Sequence, residues 1–320
     1  MALRKLLFVD ANIWLDFYRG RNETGLTLLK RSESISEDII VTYQLESEFK
    51  RNRHAAILEG MKDLKAPSQM PRPGIFSDAQ ATKVINKSFL EIEKRVKKLK
   101  STFDRALTQP TLHDPVYQAC QRIFHRHDSS IVLTRDNKLK NVIRRKAFRR
   151  FILGCPPRKR GDTAIGDAFN WEWMIHCARE HTAELVIVSR DSDYGTPLEG
   201  KSVVNDDLRQ EFSERVSKKR KLLLYAKLSD ALKHFAVPVT QQEEEAESDI
   251  VASVSEQASA LPITPRLVDD LSVGIPDLRL ERLESLRKLY SEFSKKERPL
   301  GETEKSESEA AKEGTAEETE

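Results

Sequence analysis

Four short apolar runs decide most of what this chain can fold into: Leu6-Leu7-Phe8-Val9, Ile39-Ile40-Val41-Thr42, Leu185-Val186-Ile187-Val188 and Leu222-Leu223-Leu224-Tyr225. Runs this brief and this continuous read as strands covered on both faces. Helical sequence separates them: Ala11 to Tyr18 with Asn12 as the expected cap, Tyr43 to Leu64, residues 78–106, Val116 to His125, and Asp167 to Glu180. A closing helix is expected at Ser229 to Phe235. Buried strands alternating with helices predict an α/β fold, a central and mainly parallel sheet flanked by helices.

Charge divides the chain. Residues 241–320 hold 10 Lys and Arg against 21 Asp and Glu, a net of −11. Residues 81–160 hold 21 basic and 6 acidic side chains, a net of +15. The folded domain is therefore expected over 1–238, carrying a basic helical insertion at about 66–150, and followed by a mostly disordered acidic tail over 239–320. Within that tail Leu278, Leu280, Leu283, Leu286, Leu289 and Tyr290 recur at helical spacing. They predict an amphipathic helix at 277–293 that docks on the body or on a protein partner. The basic block suits a polyanion, because neutralising phosphates releases counterions.

Other classes fall away. No apolar stretch approaches the roughly 20 residues that span a bilayer, so no membrane partner is expected. The opening Met1-Ala2-Leu3-Arg4-Lys5 does not read as a signal peptide. Cys120, Cys155 and Cys177 lack C-x-x-C spacing, which predicts neither a disulfide framework nor a thiolate zinc site and fits a cytoplasmic protein. The Gly-rich phosphate signatures are missing as well.

Two of the runs end on acids. Val9 leads to Asp10, and Val188 leads through Ser189-Arg190 to Asp191 and Asp193. The strand at Ile39 feeds a helix that presents Glu46 and Glu48, and Asp162 and Asp167 precede the tryptophan helix. Ligands of open α/β sheets bind beyond the carboxyl ends of the strands, so neighbouring strands would bring these acids to one edge. Gathered carboxylates repel unless a cation sits between them, and Mg²⁺ or Mn²⁺ prefers oxygen ligands. Singly, Asp10 and Asp167 also read as helix caps, Asp191 and Asp193 as turn residues, and Glu46 and Glu48 as surface positions.

At these residues the sequence resembles a PIN domain. The likeness lies in Phe8-Val9-Asp10-Ala11-Asn12-Ile13-Trp14, in an acid on the second helix, in Asp167 before an Ala-containing face, and in Val188-Ser189-Arg190-Asp191. A bacterial PIN-like branch long catalogued as a domain of unknown function is similar again. Its segments are matched by Tyr43-Gln44-Leu45-Glu46-Ser47-Glu48-Phe49-Lys50-Arg51-Asn52-Arg53 and by Pro156-Pro157 through Asp162 to Gly166-Asp167. The resemblance covers roughly residues 3–235. It implies Asp10, Glu48, Asp167 and Asp191 as the catalytic and metal-binding set, with Asp162 and Asp193 as supporting acids.

The implied activity is metal-dependent hydrolysis of phosphodiester bonds by an endonuclease, with RNA favoured as the partner. Alternatives are a DNA-cleaving nuclease and a PIN-like module that only grips nucleic acid. Arg51, Arg53, Arg158, Lys159, Arg160 and Arg190 flank the acids and are candidate phosphate contacts, although Arg190 could instead pair with Asp191 or Asp193. His125 and His127 have metal-ligand spacing but no acids nearby in sequence. Trp171 and Trp173 lie about 200° apart on a helix, suited to packing inward or to stacking on bases. An aspartyl-nucleophile phosphatase is disfavoured because Asn12 stands where a second Asp would be needed.

Overall fold

The computed structural model describes residues 4–20, 24–62, 64, 79–126, 129–158, 165–198 and 201–260, with backbone alone from 253 onward. The amino-terminal half contains β1 (Lys5–Val9), α1 (Ala11–Arg19), α2 (Thr24–Ser34), β2 (Ile39–Thr42), α3 (Tyr43–Met61) and α4 (Gln80–Thr108). Next come α5 (Pro110–His113), α6 (Pro115–Phe124), β3 (Val132–Leu133), α7 (Lys140–Leu153) and α8 (Gly166–Glu180). The remainder is β4 (Glu184–Val188), β5 (Gly195–Leu198), β6 (Lys201–Val204), α9 (Asp206–Arg215), β7 (Leu222–Tyr225), α10 (Leu228–His234) and α11 (Gln241–Ala260).

The strand order is β3-β2-β1-β4-β7, and every pairing in this sheet is parallel. The register Val9↔Val188 sets the ends of β1 and β4 side by side. β5 and β6 form a separate antiparallel pair. β1 and β4 are buried along nearly their whole length, which is why their sequences are apolar runs rather than alternations. No described helix is long and apolar enough to cross a membrane.

Three expectations change. Helix α1 starts at Ala11 with Asp10 in the cap position, so Asn12 is not the cap. The stretch 66–150 is less of an insertion than its charge suggests. Val116, Ile123 and Phe124 of α6, both residues of β3, and Ile143 and Ala147 of α7 all join the core. Of the helices described there, α4 and the single-turn α5 have no buried residue. Lastly, one compact unit spans Met1–Ala258, so the body continues past 238. Helix α11 is held by its acids. Glu243 pairs with Arg31 at 2.7 Å, and Glu247 accepts from the backbone amides of Leu228 and Ser229 at 2.5 and 2.9 Å. Composition alone reads those glutamates as solvent-loving, whereas here Glu247 satisfies the first turn of α10 and Glu243 ties α11 to α2. The helix expected at 277–293 lies outside the described residues.

Candidate active site

The parallel ladder delivers Asp10 and Asp191 to one edge. The Asp10 amide donates to the Val188 carbonyl at 3.0 Å, continuing the β1–β4 pairing past the strand end. Ser189 then links the two acids. Its hydroxyl donates to Asp10 Oδ2 at 2.9 Å and accepts from the Asp191 amide at 3.1 Å. From the other side of β1, Thr42 closes β2 and caps α3, accepting from the Leu45 amide at 3.0 Å. The same buried hydroxyl donates to Asn170 Oδ1 at 2.5 Å, which fastens the start of α3 to the second turn of α8. Glu48 sits in the second turn of α3, and Asp167 one turn before Asn170. Gln44 of α3 lies against Gly166, where a Cβ would stand 3.0 Å from the Gln44 Nε2.

α8 is anchored on its far side too. Trp171 donates to Glu211 Oε2 and Trp173 to the Ile131 carbonyl, each at 3.0 Å. Arg215 pairs with Glu172 at 2.6 Å. Both tryptophans are fully buried, so neither is available for stacking on bases.

The electrostatics report the convergence. Asp10 is 4% exposed, and its carboxyl is pushed up to about 7. Burial is the largest cause, followed by the Asp191 charge and then Glu48, outweighing the hydrogen bonds from Ser189 and the Ala11 amide. Tyr194, fully buried, is held well above the ordinary phenol range by burial and by the charges of Asp167, Asp10, Asp191 and Glu48 together. All four acids thus act on one hydroxyl, and that hydroxyl has no hydrogen-bond partner among the described residues.

Among the described residues no three His, Cys, Asp or Glu side chains stand grouped as metal ligands. The charges of Asp191 and Glu48 still reach Asp10. Glu48, Asp167 and Asp191 are half-buried. The donor chemistry nonetheless fits a hard divalent cation: oxygen ligands only, and one acid already forced toward its neutral form.

Other expected residues divide sharply. Glu46 faces away, bonded to Lys50 at 2.5 Å and His125 at 2.8 Å, which separates it from Glu48. That pairing also gives His125 a structural role, and His127 lies outside the described residues. Asp193 is half-buried in the turn after Asp191. Asp162, Lys159 and Arg160 lie outside the described residues.

Arg53 is a correction. It is 3% exposed, paired with Asp114 at 2.7 Å and lying over the Tyr117 ring at 5.3 Å, so it cannot reach a phosphate. Arg190 is another: it pairs with buried Asp16 of α1. Arg158 is exposed and lies over the Phe151 ring at 4.4 Å, donating to the Phe151 carbonyl. Arg51 is exposed.

Sequence reasoning misses Ser189, Tyr194, Thr42 and Asn170 as site residues. The signal for Ser189 and Tyr194 is their place in the acidic turn after β4. Nothing in the sequence links Thr42 to Asn170.

A family model described as a PIN domain matches residues 7–194, more than half of the chain and including all four converging acids. No curated protein and no solved structure matches the chain.

Proposed function

Because this chain belongs to the PIN-domain family, whose members are generally nucleases, we propose that it is a metal-dependent endonuclease hydrolysing phosphodiester bonds, with RNA as the favoured substrate. One observation carries the reading. Four acids from four separate segments act together on the buried Tyr194 hydroxyl at the carboxyl edge of a parallel sheet.

Asp10, Glu48, Asp167 and Asp191 are the proposed ligands of Mg²⁺ or Mn²⁺, with Asp193 and Asp162 in support. A bound divalent cation would supply Lewis acidity toward the phosphoryl oxygen and lower the pKa of an attacking water. The protein's share is positioning. Ser189 fixes one oxygen of Asp10 and the backbone of Asp191, while the Thr42–Asn170 bond fixes α3 against α8. Tyr194 stays protonated through the neutral range, so its hydroxyl is a standing donor toward an oxygen in the site.

Exposed Arg51 and Arg158 remain proposed phosphate contacts, with Lys159 and Arg160. The exposed Arg144, Arg145, Lys146 and Arg149 on α7 join them, because α7 packs directly on α8.

The test is incubation of the purified chain with end-labelled RNA, single-stranded DNA and duplex DNA, with Mg²⁺, with Mn²⁺ and with chelator. Internal cleavage of RNA that chelator abolishes is expected. Asp10→Asn and Asp191→Asn should each slow single-turnover cleavage at least about 100-fold while remaining folded. Wild-type rates in both variants would refute the acid site. Cleavage of DNA alone would reassign the substrate, and tight binding without any cleavage would make the protein a gripping module.

A further inference from the structure

α4 runs for 29 residues, roughly 43 Å of helix, without burying a single side chain. Its main packing is against α5 and α3, near its carboxyl end, where Arg53 donates to the Ala106 carbonyl. The helix nonetheless carries a regular apolar seam. Ile85, Ile92, Leu99 and Ala106 repeat every seven residues, and Phe89, Val96 and Phe103 repeat every seven between them. The steps alternate between three and four, the spacing of a coiled-coil seam rather than of the broader stripe that faces a globular core. Ile85, Ile92 and Leu99 are 38%, 42% and 48% exposed and Phe89, Val96 and Phe103 between them are half-buried, so the d positions of the seam are the ones presented to solvent.

Charges beside the seam choose the occupant. With Phe89, Val96 and Phe103 at a and Ile85, Ile92 and Leu99 at d, Glu93 and Lys100 occupy e, while Arg95 and Thr102 occupy g. A parallel pair of α4 helices would set Arg95 of each chain against the partner's Lys100, a repulsion made twice. An antiparallel pair sets e against e. With Val96 packed on the partner's Leu99, Glu93 faces the partner's Lys100 on both sides of the axis. Sliding by one heptad in either direction sets Glu93 against the partner's Glu93, or Lys100 against the partner's Lys100. One orientation and one register therefore satisfy both the apolar and the charged positions.

We propose that two copies of this chain associate through α4, antiparallel, in the register Val96 to the partner's Leu99. The outward positions Lys83, Lys87, Lys94, Lys97 and Lys98, all exposed, stay clear of the seam. The pair would then be a rod with basic flanks, carrying a body at each end.

The test is analytical ultracentrifugation of the full chain over a wide concentration range. A dimer is expected, converted to a folded monomer by Leu99→Glu, whose site is exposed in the single chain. Glu93→Lys and Lys100→Glu should each weaken self-association by about tenfold. Mixing those two variants should restore a heterodimer, because both lateral pairs become opposite in sign again. A monomer at every concentration would overturn the proposal, including the case in which the chain's own residues 277–293 cover the seam. So would a dimer that ignores Leu99→Glu. A dimer that the mixture fails to rescue would overturn the orientation and register.

Discussion

Helices α8 and α4 are opposites. α8 is 15 residues long with 11 of them buried; α4 is 29 long with none. Only one sequence announces its outcome: α8 has apolar residues nearly all round, as a covered helix does, whereas α4 is clearly amphipathic, a pattern that usually faces a core. A helix covered on several sides needs no polar face, so its apolar residues lose their period. A helix with a clean seam wants one partner, and nothing requires that partner to come from its own domain. The difference also sorts the two regions: α8 is anchored where it carries Asp167, a ligand in the proposed site, and α4 carries exposed charge away from the core.

The largest effect should come from treating the two helices alike. Trp173→Ala removes a fully buried ring and its bond to Ile131, and should cost about 3–5 kcal/mol in chemical denaturation. Leu99→Ala, measured at a concentration too low for association, should fall within about 0.5 kcal/mol of wild type. A Leu99→Ala loss of comparable size would mean that α4 is covered within its own chain, and the contrast would collapse.

A second prediction concerns charge, which the two regions handle differently. On α4 it is dispersed in solvent; at the sheet edge it is confined. Asp10 titrates near 3.8 when unfolded and at about 7 when folded. The folded state therefore holds this proton more tightly, and the stability it contributes is present below about pH 4 and lost as pH rises toward 7. In chelator, this single group should lower stability by about 2–4 kcal/mol across that window. Asp10→Asn should flatten the slope and raise the melting temperature at pH 8. A wild-type pH profile identical to that of the variant would mean that Asp10 is not under this repulsion.

What the sequence discloses follows the same division. The strands and the acids behind them are legible because an apolar run that stops at Asp is a local pattern. β3 is not, because Val132-Leu133 is too short a run to register. Arg51 and Arg53 look equivalent in sequence but point about 200° apart on α3, and the residue that pairs with Arg53 is Asp114, 61 positions away. Arg190 stands beside Asp191 in sequence and yet pairs with Asp16, which reaches it only through the packing of α1. Such pairings depend on tertiary approach, which no spacing along the chain encodes.

α11 supplies a third and smaller test. Composition places its acids in a solvated tail, yet Glu247 caps α10 and Ile250 packs over Gly20. Ending the chain at residue 240 should therefore cost about 2 kcal/mol and lower the melting temperature by several degrees. Ending it at residue 260 keeps these interactions and should cost much less. Equal melting temperatures for the two truncations would return α11 to the tail.

The smallest effect on stability belongs to the lysines of α4, and there the contrast with the core becomes functional. Lys94→Gln, Lys97→Gln and Lys98→Gln together should leave denaturation within about 0.5 kcal/mol of wild type, because all three side chains are exposed. Nucleic-acid binding should respond quite differently. Every phosphate that a lysine no longer neutralises takes roughly 0.7–0.9 off the slope of log affinity against log salt, so three such lysines would flatten it by about 2–3. The comparison is a binding series from low to high salt, using Asp10→Asn protein so that cleavage does not consume the ligand. A flattened slope with unchanged stability would make α4 part of the electrostatic footprint. An unchanged slope would leave these lysines as a solvated face and shift the footprint to the exposed arginines of α7, where Arg144→Gln and Arg145→Gln should then produce the loss that α4 did not.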